Sequence, residues 1–299
     1  MAEILQKDGT WTFDGGTVRI VPGRGSKVHP LRQALGELEV PLSALTGVAY
    51  EPGRKGGGLR LRLREGACPL LLAANGRLGD SADPYRLAVE PDRTGVAEYF
   101  VDEVRNALLL DQVSADPVDR FLLPGPSVPV SGGGGDGTAS FDGETVRLTW
   151  NWKAEESKSS GGPSTLPLSD ITGVEWLPSR GLENGYLRFH TGRPTGKVPA
   201  PKYDPCAVDL WGLSKKEYTA ALVAAAVLVR LPHPAASAGS LPALEKSLAP
   251  AAALPAAPAV ADDHDALLRR LRELGELHQA GVLTDEEFTR AKQAVLKRL

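Results

Sequence analysis

The stretch GTWTFDGGTVRI, Gly9 to Ile20, returns as GTASFDGETVRL, Gly137 to Leu148, with eight of twelve positions identical and a spacing of 128 residues. In both, apolar and polar residues alternate up to an Asp-Gly pair, Asp14-Gly15 or Asp142-Gly143, and alternate again beyond it. Period-two alternation suits a half-buried strand, and an Asp-Gly pair between two such runs signals a tight β-hairpin. A hairpin that recurs points to an internal duplication, which decides the reading of everything around it.

The resemblance continues outward in unchanged order. VPLSALTGVAYEP (Val40–Pro52) answers LPLSDITGVEWLP (Leu166–Pro178) with seven identities in thirteen, GGGLRLRL answers ENGYLRFH, and DPYRL from Asp83 answers DPCAV from Asp204. Drift in the offset places short insertions in loops, where they are best tolerated. Leu59, Leu61 and Leu63 alternate with Arg60, Arg62 and Arg64, a strand with one apolar and one basic face. Further strands are expected at Leu38–Val40 and Thr46–Tyr50, and each repeat closes on one helix. The first carries Val96, Phe100, Val104, Ala107 and Leu108 on one stripe. The second opens on Ser214 and Glu217 as a capping box, with Tyr218, Leu222, Ala225 and Val229 inward. The predicted fold class is therefore α+β, mainly β: two barrels or bent sheets, each closed by a C-terminal helix.

Composition bounds the function. Thirty-four Lys and Arg against 37 Asp and Glu leave a net charge of -3, so no cationic excess marks a nucleic-acid partner, and none is expected. Cys68 and Cys206 sit in different halves without a CxxC, which leaves no disulfide framework and no thiolate metal site. The opening MAEILQKDGT is charged at Glu3, Lys7 and Asp8 where an export signal needs an apolar core. The longest apolar run, Ala220–Val229, is about half a transmembrane span and reads as a buried helix face. A cytoplasmic protein is expected, with peripheral membrane contact as the alternative. Low Met with abundant Ala, Gly, Pro and Arg is the compositional style of a GC-rich bacterial genome.

LLPGPSVPVSGGGGDG, around residues 126–136, reads as a hinge between repeats 1–125 and 137–233. Its four glycines lead into a hairpin and not a helix, which argues against a phosphate loop. Residues 234–261, rich in Ala and Pro, read as a flexible tether.

Residues 262–299 read as a two-helix hairpin. Leu267, Leu268, Leu271, Leu274 and Leu277 form one stripe, Gly281 suits a left-handed C-cap, and Thr284 with Glu287 makes a second capping box. Leu283 and Phe288 are spaced as a hydrophobic staple, and Phe288, Ala291, Val295 and Leu299 face one way. So small a piece cannot bury its own stripe. The face Leu267, Leu271, Leu274, Leu277, Phe288, Val295 and Leu299 is expected to pack on another copy of the chain or on a protein partner.

The pattern from Leu268 through Gly281-Val282-Leu283-Thr284 to Lys292 resembles the SHOCT family, short C-terminal helical domains of bacterial proteins whose implied role is oligomerisation. The repeats resemble domain-of-unknown-function family 4429 through GTWTFDG, GRGSKVHPLRQALGELEVPLSALTGVAYEPGR, DRTGVAEYFVDEVRNALLL, FDGETVRLTWNWK and LENGYLRF. That resemblance implies two pleckstrin-homology-like modules and no catalytic activity.

The five histidines, His29, His190, His233, His264 and His278, show no HExxH spacing, so no enzyme, metal or cofactor is expected. The candidate binding site is RIVPGRGSKVHPLRQ, with Arg24, Lys27 and Arg32, extended by Arg54 and Lys55. In pleckstrin-homology domains, which this repeat resembles, a basic loop near the start binds phosphorylated headgroups, which implies anionic lipid here. The competing reading is a solvated basic loop, and the second repeat favours it by mixing Lys153 and Lys158 with Glu155 and Glu156. Trp150 and Trp152 alternate with Asn151 and are expected to pack in the core.

Overall fold

Residues 1–53, 56–179, 183–192, 198–211 and 218–239 are described by a computed structural model. Contacts divide the chain into Met1–Ala243 and Leu244–Leu299. The second unit, with the expected hairpin and its leucine face, lies outside the described residues, as do Arg54, Lys55, Ser214 and Glu217.

In the first repeat, strands β1 (Ala2–Gln6), β2 (Gly9–Phe13), β3 (Thr17–Pro22) and β4 (Leu38–Pro41) pair in that order, with helix α1 (Pro30–Leu35) between β3 and β4. A 3₁₀ turn leads to a second antiparallel sheet of β5 (Leu45–Gly53), β6 (Gly56–Leu63) and β7 (Arg86–Val89). Helix α2 (Pro69–Ala74) lies between β6 and β7, and α3 (Thr94–Leu110) ends the repeat. The second repeat runs in the same order: β8 (Val130–Gly133), β9 (Gly137–Phe141), β10 (Thr145–Trp150), α4 (Glu156–Ser159) and β11 (Ser164–Pro167). It continues through β12 (Ile171–Leu177), β13 (Gly185–Thr191) and β14 (Ala207–Leu210) to α5 (Thr219–Leu228). The class is α+β, mainly β.

The quoted hairpins superimpose in chemistry. Asp14 accepts the N–H groups of Gly16 and Thr17 at 2.9 and 2.8 Å, and Asp142 those of Glu144 and Thr145 at 2.9 and 2.8 Å. These bonds hold both carboxyls below the usual range. Gly15 and Gly143 take φ of 109° and 116°, where a side chain is strained. The register of β5 and of β12 shifts at corresponding places, Leu45/Gly47 and Ile171/Gly173.

The expected barrels do not close. Each repeat has two open sheets, and side chains stand where a ladder between β1 and β7 would run: Asp8 accepts the N–H of Ala88 at 3.2 Å and Gln6 that of Glu90 at 3.1 Å. The segment read as a hinge also differs, because it supplies edge strand β8. Its glycines have packing reasons: a Cβ on Gly132 would sit 2.5 Å from the Ala220 Cα, and one on Gly134 2.6 Å from the Asp209 carbonyl.

The closing helices have diverged. α3 buries Ala97, Phe100, Val101 and Val104 and turns Glu98, Asp102 and Asn106 to solvent. α5 is buried all round from Ala220 to Val227, because it packs on β8, β9, β12 and β13 and also on α1 and α2 of the first repeat. A one-sided stripe is therefore the wrong description of α5. Core aromatics moved with it: Trp11 lies 6.1 Å from Phe100 in the first repeat, whereas the second has Ala139 at that place and buries Trp176 against Tyr218 at 5.7 Å. Among the described residues no helix is long and apolar enough to cross a membrane.

Candidate functional site: a charged cleft and its internal counterpart

The basic stretch after the first hairpin splits into two kinds of residue. Arg24 and Lys27 are exposed. Arg32 is only 4% exposed, because α1 turns it inward onto the β1–β2 turn. That helix is short, with Pro30 in its first turn and the His29 Nδ1 accepting the Leu31 N–H at 3.2 Å. Arg32 Nη1 donates to Asp8 Oδ2 at 2.8 Å and Nη2 to the Asp8 carbonyl at 3.3 Å. Neighbouring cations are engaged as well: Arg19 meets Glu37 at 2.5 Å, and Arg64 donates to the carbonyls of Asp116 and Ser43 at 2.8 and 3.2 Å.

Lys27 and Arg32 line one open cleft of about 570 Å³, formed by the β1–β2 turn, α1, the β5–β6 hairpin and β7. Gly53 and Gly56, which flank Arg54 and Lys55 in the chain, line it too. Of the three expected cations among the described residues the cleft gathers Lys27 and Arg32, and Arg24 does not line it. Among the described residues Asp8, Glu51 and Asp80 face Lys27, Arg32 and Arg86 there. Arg86 bonds Glu51 at 3.0 Å and also pairs with Asp80. Among the described residues the buried Arg32 Nε has no hydrogen-bond partner. Gly57 on the cleft wall leaves room for the Tyr50 ring, which a Cβ would meet at 2.6 Å.

The second repeat shows what Arg32 is for. Asp136 stands where Asp8 does and Lys158, on α4, where Arg32 does, at the same offsets of 128 and 126 that relate the flanking strands. Lys158 Nζ meets Asp136 Oδ2 at 2.5 Å and the Ala207 carbonyl at 2.8 Å, and its side chain is fully buried. Asp136 Oδ1 accepts the Asp209 N–H at 2.9 Å, as Asp8 accepts that of Ala88. In both repeats a buried cation and an aspartate tie the first sheet to the last strand of the second. Burial, and then the Asp136 charge, push the Asp209 carboxyl up. An ion clamp is what the two repeats share. The pairing of Asp8 with Asp136 and of Arg32 with Lys158 was present in the internal alignment and was the available signal.

The aromatic pair in β10 and its loop also separates. Trp150 packs against the core with the Lys158 ammonium 5.1 Å from its ring centroid, while Trp152 is 89% exposed. The expectation of core packing fails for Trp152, since β10 ends at Trp150 and the alternation with it.

Cys68 and Tyr85 lie 3.0 Å apart inside the first repeat, and burial pushes the thiol and the phenol up. Burial, with the nearby Asp204 charge, also raises the Cys206 thiol. Neither cysteine is therefore primed as a thiolate nucleophile. Among the described residues no group of three His, Cys, Asp or Glu is placed to hold a metal ion.

The family described as Domain of unknown function (DUF4429) matches residues 11–105 and 139–228 of this chain, and that described as Short C-terminal domain matches residues 269–296. No curated protein matched the chain.

Proposed function

This chain belongs to the Domain of unknown function (DUF4429) family and carries that domain twice, and from that premise we propose that it is a non-enzymatic cytoplasmic scaffold whose C-terminal hairpin joins copies of the chain into homo-oligomers. Each repeat, four strands, three strands and a helix, is read as a pleckstrin-homology-like binding module. The observation that carries the proposal is the match at residues 269–296: a short C-terminal domain, with leucines at helical spacing in its sequence, follows a unit, Met1–Ala243, that contains both repeats. Such a stripe needs a surface outside its own hairpin. Light scattering of the full chain against the full-length variant Leu271→Glu with Leu274→Glu tests it. The expected result is an oligomer for the native chain and a monomer for the variant; equal masses would refute the proposal.

A second reading, anionic headgroup binding in the first-repeat cleft, is supported by Lys27 and by the unpartnered Nε of Arg32 lining one cavity. Against it stand the three carboxylates of the same cleft. Lys27→Glu is the variant that separates the readings, because it changes the cleft and leaves the hairpin untouched.

A further inference from the structure

The loop after β10 exposes a cluster that neither reading uses. The Lys153 ammonium lies 5.3 Å from the centroid of the Trp152 ring and 4.5 Å from that of Trp211, which is itself exposed. Trp211 lies flat on Gly135, where any Cβ would collide with its indole. Further along the chain Tyr203 is half exposed: Ser157 on α4 donates to its carbonyl at 3.5 Å, and its neighbour Lys202 bonds Glu155 at 2.6 Å.

The internal duplication shows that the fold does not require these aromatics. Matching loop bonds, Val28 N–H to the Gly25 carbonyl and Ala154 N–H to the Asn151 carbonyl, set the correspondence: the first repeat has Ser26 for Trp152, Lys27 for Lys153, Glu90 for Trp211 and Lys7 for Gly135. There Lys7 and Glu90 form an exposed ion pair at 2.5 Å, and the same order of strands and helix results. An indole in water carries a standing hydration cost that an arginine does not, so a Trp held out by a loop and braced by a lysine calls for an apolar counter-surface.

The chemistry of the cluster selects the kind of surface. Protein–protein interfaces are enriched in Trp and Tyr but depleted in Lys. Indoles and phenols interleaved with lysines are the side chains of the lipid headgroup layer, where the ring sits at the boundary and the ammonium reaches phosphate. Among the described residues Lys153 has no carboxylate partner, which leaves its charge complementary to a phosphodiester. We propose that Trp152, Lys153 and Trp211 form a docking surface of the second repeat for an anionic lipid bilayer. This is independent of oligomerisation and of the first-repeat cleft.

The test is co-sedimentation of the full chain with vesicles of phosphatidylcholine alone and of phosphatidylcholine with phosphatidylglycerol. The native chain is expected to partition onto the mixed vesicles with a blue shift of its Trp emission. Removing one indole that half enters the boundary lowers the partition by about fivefold in Trp152→Ala. Lys153→Glu is expected to weaken binding to the anionic vesicles only, and the difference to vanish in high salt. Circular dichroism checks that both variants stay folded. The proposal is overturned if the native chain stays in the supernatant, which would leave the cluster to a protein partner. It is also overturned if Trp152→Ala binds as well as native, or if only Lys27→Glu abolishes binding, which would assign the membrane to the first-repeat cleft.

Discussion

Replacing Lys158 by Met tests the clamp reading most directly. The methionine keeps the length and removes the ammonium, leaving the Asp136 carboxylate 6% exposed with one remaining donor, the Asp209 N–H. Breaking one side of a buried ion pair in this way costs about 3–5 kcal/mol. The matching change in the first repeat, Arg32→Met, costs less, about 1–3 kcal/mol, since Asp8 is 25% exposed and water can take over part of the solvation. Urea unfolding of the full chain, followed by Trp fluorescence, measures both. For a unit of this size the Lys158 variant would melt roughly 6–20 °C lower. Adding Asp136→Asn to Lys158→Met is expected to recover at least about 1 kcal/mol, because a buried amide tolerates the loss of its partner better than a carboxylate does. A Lys158→Met chain within about 0.5 kcal/mol of native, or strict additivity in the double variant, would show that the pair does not hold the sheets together.

Gly132→Ala should destabilise by about 1–3 kcal/mol through overpacking, because its Cβ has to displace the α5 backbone at Ala220, whereas Gly133→Ala, with open space around it, should be near neutral in the same assay. Native protein treated with a chromogenic disulfide reagent should react slowly and at Cys206 alone, faster as pH climbs toward its raised pKa. Cys68 should react only in denaturant, and rapid labelling of a folded Cys206→Ser chain would contradict its burial.

What the sequence disclosed follows from how locally each feature is encoded. The hairpins were legible because alternation and an Asp-Gly turn lie within twelve residues. The strand Leu59–Leu63 was legible from its leucines, two of which, Leu59 and Leu61, are fully buried. Helices α1 and α2 were not, since six residues opening on Pro30 or Pro69 span fewer than two turns and show no periodicity. The burial of Arg32 was not legible, because charge beside a glycine-rich loop signals solvent and its partner Asp8 sits 24 residues earlier. Trp152 was misread because an alternation was extended past the strand that produced it. The exposed state of Arg24 and Lys27 was legible, as no apolar neighbour would draw them inward.

The all-round burial of α5 bears on how this architecture can be dissected. A gene segment cut at the repeat boundary would release a cylinder of alanine and valine with half its walls gone, prone to clump before any ligand could be offered to it. Because α5 also rests on α1 and α2 of the first repeat, a change on either side of that seam is felt in both halves.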